Sequence, residues 1–206
     1  MTTTSTDLPD TIDFWFDTAC PFAWVTSRWV HEVLKQRPVD VTWHTMSLAI
    51  VNEDVDIDEE YRELIAKTPL SARVCLVIGR DHGNEALGRY YTAIGTRIHV
   101  DKRGFDRTVV EESLAEAGLP LEIADVMDDE SLDAAVREDH MAGQAAVGQK
   151  SGTPVVAFGD KGYFGPVLSS IPRGDDAVRL YDGLRLVLSV PSFAELKRER
   201  DGLVTS

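Results

Sequence analysis

The chain has 206 residues, 43% of them apolar, and a formal net charge of −14 at pH 7. These values fit one globular domain, or one domain with a large insertion, and they exclude wholesale disorder. The acidic balance disfavours nonspecific binding to nucleic acid or to anionic membranes.

Three features of the chain bear on where the protein works. Residues 1–10 are polar and lack the basic and apolar regions of a secretory signal peptide. No run reaches the roughly 18 apolar residues of a membrane helix. The two cysteines, Cys20 and Cys75, are too few for a disulfide framework. We therefore expect a cytoplasmic protein.

The first predicted elements are a strand and the helix that follows it. Large β-forming residues predict a buried strand at about 12–16, which ends in a short turn before Cys20. Apolar residues at helical spacing then predict a helix from Pro21 to about Gln36, because the fixed φ of proline suits the first helical position. Cys20 is expected at the helix N-cap, where unpaired N–H groups and the helix dipole lower the pKa of a thiol. This predicts a nucleophilic thiol; the alternative is that Cys20 is a small buried hydrophobe.

A second strand is predicted at 39–46, where apolar and polar residues alternate. Since strand, helix and strand follow in succession, a parallel βαβ unit with a right-handed crossover is expected. The acidic connection at 47–57 does not match a calcium-binding loop, because the glycine and the glutamate that such a loop needs are missing. No metal site is predicted.

The middle of the chain, from residue 58 to about residue 147, has mostly helical spacing, which predicts about four or five helices. A second block of strands begins at Gly152, with a tight hairpin turn at Gly159-Asp160. Two further helices are expected, at about 175–187 and 193–200. This order predicts a helical subdomain inserted into an α/β scaffold.

A second motif, Gly152-Thr153-Pro154-Val155, stands immediately before the late strand block. Together with Cys20-Pro21 at a strand-to-helix junction, it resembles the DsbA-like branch of the thioredoxin fold. The resemblance implies that the peptide bond before Pro154 is cis and that this proline faces Cys20. It also implies that Thr153 offers its backbone N–H and C=O groups to an extended substrate.

Longer segments narrow the resemblance to one family. The chain is similar to the mycothiol-dependent nitroreductase family of actinobacterial DsbA-like reductases over about residues 11–200, through DFWFDTACPFAWVTSRWVHEV, HTMSLAIVNED, GTPVV and YFGPVLSSIPRGDDA. The resemblance implies a thioredoxin-like α/β domain at 11–57 and 150–206, with a helical lid at 58–149. It also implies mycothiol as a co-substrate, no tightly bound cofactor, and bulky or nitroaromatic electrophiles as substrates.

The active-site motif departs from the family pattern Cys-Pro-Trp-Cys, because this chain has Cys20-Pro21-Phe22-Ala23. In a dithiol enzyme the second cysteine resolves the mixed disulfide by intramolecular exchange, and Ala23 cannot do this. We expect either a reactive monothiol whose adduct is released by a second small-thiol molecule, or no turnover. Cys75 lies in an apolar helical run and is predicted to fill the core; the alternative is a redox partner for Cys20.

The resemblance also implies a substrate pocket. Phe22 keeps a flat apolar contact for the substrate, although it can equally serve only for packing. The other candidates are Trp24, Asn52, Tyr61 and His99. Tyr61 is alternatively a core residue on a helix face, and His99 a cation at a helix C-terminus. The expected partners are a small thiol and an electrophilic substrate, and the protein is expected to be a monomer or a homodimer.

Three functions remain open at this point. The first is a thiol-dependent oxidoreductase with Cys20 as its nucleophile. The second is a thiol transferase or isomerase similar to the kappa-class glutathione transferases, which need no second cysteine. The third is a degenerate protein that binds a small thiol or an apolar ligand without turnover. A lowered pKa of Cys20 favours an enzyme, and an ordinary pKa favours the binding protein.

Overall fold

Strand β1 (Thr11–Phe16) lies in the interior of a four-stranded sheet. The structure is a computed structural model that describes residues 10–159, 161–199 and 202–206. The other strands are β2 (Asp40–Thr45), β3 (Val155–Phe158) and β4 (Lys161–Phe164), and the order in the sheet is β2-β1-β3-β4. β1 is parallel to β2 and antiparallel to β3, and β3 is antiparallel to β4.

Helices cover this sheet and fill the connection between β2 and β3. The α-helices of the described residues are α1 (Pro21–Leu34), α2 (Leu48–Val51), α3 (Glu59–Ile65), α4 (Thr68–His82), α5 (Asn84–Gly95), α6 (Arg107–Glu116), α7 (Asp133–Val147) and α8 (Asp175–Leu188). Thr96–Val100 forms a π-helical turn, and Leu121–Asp128 and Glu130–Leu132 are 3-10 helices. None of the described helices has the length and apolar composition needed to cross a bilayer.

Both faces of β1 are covered, which explains its run of large apolar residues. Phe14 and Phe16 belong to the main core, together with Trp29 of α1. Trp15 points to the opposite face and packs in a smaller cluster with Met46. A strand buried on both faces reads as a near-continuous apolar run rather than an alternating one.

The predicted α/β architecture is confirmed. Strand, helix and strand at the start of the chain form a parallel β1-α1-β2 unit, and β3, β4 and α8 form the later ββα unit of a thioredoxin fold. The helices predicted between residues 58 and 147 are α3 to α7, with the irregular helical segments among them. The predicted acidic connection at 47–57 differs in one respect, because it contains the short helix α2.

The helix predicted at 193–200 is wrong over its described part. Residues 193–199 have no regular secondary structure, and Leu196 is 89% exposed. A segment this short gains too little from its own hydrogen bonds to stay helical unless an apolar face packs against the core. Arg200 lies outside the described residues. So do Asp160 of the predicted hairpin turn and residues 1–9, on which the signal-peptide prediction mainly depends.

Candidate functional site

Cys20 lies at the N-cap of α1, as predicted. Its backbone is extended, with φ −79° and ψ 112°, and Pro21 follows in the first helical turn. The backbone N–H of Ala23 donates to Cys20 Sγ at 3.4 Å. One of the unpaired N–H groups at the helix start is therefore satisfied by sulfur, in the way that serine or aspartate satisfies it in other helices.

The Gly-Thr-Pro-Val motif lies against this sulfur, although it is far away in the sequence. Cys20 Sγ donates to the backbone oxygen of Thr153 at 3.4 Å, and the Thr153–Pro154 peptide bond is cis. The Thr153 hydroxyl is buried beside the sulfur and has no other hydrogen-bond partner among the described residues. The motif therefore presents one carbonyl and one hydroxyl beside the thiol.

The expected lowering of the Cys20 pKa is wrong for this conformation of the site. Cys20 is 5% exposed, and this burial raises the pKa of its thiol. The Thr153 side chain and the Ala23 N–H lower the pKa, while the charge of Asp17 raises it further. The net shift of the pKa is upward, because loss of water destabilises the thiolate more than these interactions stabilise it.

Asp17 is a site residue that the sequence reading did not single out. It is 2% exposed, and its two carboxylate oxygens accept the backbone N–H groups of Ala19 at 2.8 Å and Leu48 at 2.7 Å. Burial raises the pKa of Asp17 to about 6, although these two hydrogen bonds oppose the shift. Asp17 thus ties the Cys20 turn to the start of α2. The sequence signal for this turn is local, because an aspartate often accepts a hydrogen bond from the backbone N–H two residues later, here that of Ala19.

His99 joins the helical segment between β2 and β3 to the same turn. Its Nε2–H donates to the backbone oxygen of Thr18 at 2.8 Å, and its ring stacks on Trp24 with centroids 5.6 Å apart. Burial lowers the pKa of His99 to about 4, so the ring is neutral at pH 7. The interpretation of His99 as a cation at a helix C-terminus is therefore wrong. The residue lies in the π-helical turn and acts as a hydrogen-bond donor.

Asn52 and Tyr61 lie close to each other. Asn52 follows α2 and its Nδ2 donates to the backbone oxygen of Leu48 at 2.8 Å. Tyr61, on α3, is partly buried against the core. Burial raises the pKa of Tyr61, and the charges of Cys20 and Asp17 raise it further, whereas the Asn52 side chain lowers it. The structure brings these candidates together, and their role in binding substrate stays a prediction.

The remaining residues of the motif and the second cysteine differ in exposure. Phe22 is partly exposed, whereas Ala23 is completely buried at 0% exposure. Trp24 is 2% exposed, and its Nε1–H donates to the backbone oxygen of Thr205 at 2.9 Å. Both cysteines are free thiols, and Cys75 is 1% exposed within the core. Burial raises the pKa of Cys75 far above its usual value, which favours the core interpretation.

Comparisons with known proteins show which family and fold this chain is similar to. A family model described as mycothiol-dependent nitroreductase Rv2466c (Rv2466c-like) matches residues 19–198. The chain is 30% identical over 192 residues to a curated protein of Mycobacterium tuberculosis (strain ATCC 25618 / H37Rv) named "Uncharacterized protein Rv2286c", and the match covers 92% of this chain and 82% of that protein.

Two solved structures are similar in fold. The first is DsbA from Chlamydia trachomatis, with a TM-score of 0.57, 15% identity, and coverage of 85% of this chain and 86% of that chain. The second is the cytosolic disulfide reductase DsbM from Pseudomonas aeruginosa with GSH, with a TM-score of 0.52, 21% identity, and coverage of 85% of this chain and 100% of that chain. These similarities show a DsbA-like thioredoxin fold.

Proposed function

The chain belongs to the Rv2466c-like family of mycothiol-dependent nitroreductases, and on that premise we propose that it is a thiol-dependent reductase in which Cys20 works as a monothiol. Its substrates would be disulfides or electrophilic, nitroaromatic small molecules. The observation that carries the proposal is the position of Cys20 Sγ at a helix N-cap, 3.4 Å from the carbonyl oxygen that precedes Pro154.

The cycle on a disulfide substrate has two exchange steps. The Cys20 thiolate attacks one sulfur of the substrate, the substrate S–S bond breaks, and the other half leaves as a thiolate. Cys20 is then joined to the first half in a mixed disulfide. A mycothiol thiolate attacks that half, the bond to Cys20 breaks, and the Cys20 thiolate is regenerated. Mycothiol supplies the reducing electrons and ends in a disulfide with the released half.

Neighbouring residues have distinct tasks in this cycle. Pro154 and the backbone of Thr153 would align an extended thiol against Cys20, and the Thr153 hydroxyl would donate to the sulfur that carries negative charge. Phe22 would offer an apolar face to the substrate. Asn52 and Tyr61, together with Trp24 and His99, would form the rest of the pocket.

The same proposal extends to the architecture and the setting. Residues 11–57 and 150–206 would act as the thioredoxin-like domain, and residues 58–149 as a lid over Cys20. We place the protein in the cytoplasm, because this chemistry needs a pool of reduced small thiol, which reducing compartments maintain.

One observation favours the alternatives. The raised pKa of Cys20 leaves less thiolate at pH 7 than an activated nucleophile would have. A protein that binds a small thiol without forming a covalent bond, or a transferase similar to the kappa class, would not need Cys20 thiolate. Burial is the largest cause of the raised pKa, so opening the site to water removes that cause and restores the nucleophile.

The release step distinguishes these functions. The Cys20–mycothiol mixed disulfide is prepared and its decay is followed at increasing concentrations of reduced mycothiol. We expect a release rate that rises linearly with mycothiol and vanishes without it, because neither Ala23 nor the buried Cys75 can resolve the bond. Release that does not depend on the thiol concentration would contradict the monothiol cycle.

A further inference from the structure

Residues 202–206 cross the junction between the Cys20 helix and the lid. The backbone oxygen of Thr205 accepts from Trp24 Nε1 at 2.9 Å, and the Thr205 hydroxyl donates to the backbone oxygen of His99 at 2.8 Å. The backbone N–H of Val204 donates to the backbone oxygen of Ser169 at 2.8 Å. This short segment therefore joins α1, the π-helical turn and the loop that follows β4. It also lies outside the residues that the family model matches.

The part of the lid that the segment contacts has an unusual backbone. His99 lies within the π-helical turn, and Lys102 has φ 58°, the one positive φ of a non-glycine residue in the described chain. Lys102 Nζ donates to the His99 oxygen at 2.6 Å and to the Thr205 hydroxyl at 3.2 Å. Left-handed residues and π-helical turns persist where their surroundings hold them, and they are common in segments that move. The hydrogen bonds of the Thr205 hydroxyl to His99 and Lys102 are part of these surroundings.

These contacts lead directly to the thiol. Thr205 fixes the backbone of His99, and the His99 ring donates to Thr18 in the turn before Cys20. Thr205 also fixes Trp24, which lies one helical turn after Cys20 and stacks on the His99 ring. Cys20 is 5% exposed in this arrangement, so little of its surface is open to a small thiol.

We propose that residues 202–206 form a strap that holds the lid closed over Cys20, with Thr205 as the positioning residue that ties Trp24 to His99. Release of the strap would free the π-helical turn and the Trp24 ring, and would give a small thiol access to Cys20 Sγ. The inference depends on the proposed function only in that such a thiol has to reach this sulfur.

Alkylation of the two cysteines tests the strap, because each thiol reports a different kind of opening. Thr205→Val removes the hydroxyl and keeps the shape and the backbone carbonyl. We expect iodoacetamide to modify Cys20 about tenfold faster in this variant, since the loss of this part-buried hydrogen bond shifts the local opening equilibrium by about that factor. Modification of Cys75, which is 1% exposed in the core, should keep its wild-type rate.

Two further variants complete the test. Val204→Thr changes a side chain that is 54% exposed in the same segment and should leave both rates unchanged. Deletion of residues 202–206 should accelerate Cys20 more than Thr205→Val does. An unchanged Cys20 rate in the deletion variant, or Cys20 and Cys75 accelerating together in Thr205→Val, would overturn the strap. The assay uses no mycothiol, so its result is separate from the success or failure of the proposed reductase cycle.

Discussion

Replacing Ala23 by cysteine is expected to make release of mycothiol from Cys20 independent of added thiol. The residue at position 23 already contacts the Cys20 sulfur, because its backbone N–H donates to Sγ at 3.4 Å. The residue is completely buried at the start of α1. A thiol at this position would attack the mixed disulfide intramolecularly, and Cys20 and the new cysteine would end in a disulfide.

The expected effect is large. A well-placed intramolecular thiol has an effective concentration far above that of a free thiol, so release from Ala23→Cys without added thiol should be about a thousandfold faster than release from the wild type at about 1 mM mycothiol. The measurement is the decay of the Cys20–mycothiol mixed disulfide, followed by intact mass in the absence of free thiol. Ala23→Ser is the matched control, because it adds one heavy atom without redox chemistry and should decay like the wild type. An equally stable mixed disulfide in Ala23→Cys would mean that position 23 cannot reach the sulfur.

Replacing His99 by glutamine is expected to reduce the loss of stability in acid. The neutral ring donates to the Thr18 oxygen, and burial lowers the pKa of His99 to about 4, below its value of about 6.5 in an unfolded chain. Between these pH values the unfolded chain binds a proton that the folded protein does not bind. The free energy of unfolding therefore falls as the pH falls from 6.5 to 4, by about 3 kcal/mol in total from this residue.

Glutamine can donate to the same carbonyl but does not titrate, so this contribution should disappear in the variant. Urea unfolding at a series of pH values gives the difference between the wild type and His99→Gln. Asp17 changes the free energy of unfolding in the opposite direction. Because its pKa is raised to about 6, the folded protein takes up a proton at a higher pH than the unfolded chain does. Its contribution is present in both proteins and cancels in the difference. Parallel stability curves would contradict the assignment of a buried, neutral His99.

The position of Cys20 could be predicted from local sequence, whereas its pKa could not. A strand, a short turn and Pro21 are adjacent in the chain, and proline at the first helical position fixes which residue caps the helix. The pKa depends on how deeply the folded chain buries the sulfur. That burial depends on residues far along the chain, such as Thr153, and no local pattern contains it.

The structural features that the sequence failed to predict have the same physical origin. The predicted helix at 193–200 had a suitable composition, but Leu196 found no core to pack against. The strap contacts join residues such as Trp24 and Thr205, whose separation in sequence is almost the length of the chain. One of the two hydrogen bonds of Asp17 could be predicted from the sequence and the other could not. Its turn with Ala19 is local and recognisable, but its bond to Leu48 depends on how α2 is placed beside the turn.

Intact mass tests most directly whether Cys20 is the one residue that forms a mixed disulfide with mycothiol. Reduced wild-type protein and Cys20→Ser are each exposed to oxidised mycothiol and, separately, to oxidised glutathione. We expect one mycothiol-sized increment on the wild type, none on Cys20→Ser, and complete removal of the increment by reduced mycothiol. An unmodified wild type with both disulfides, or an increment that persists in Cys20→Ser, would contradict the covalent mechanism and favour a protein that binds small thiols without turnover.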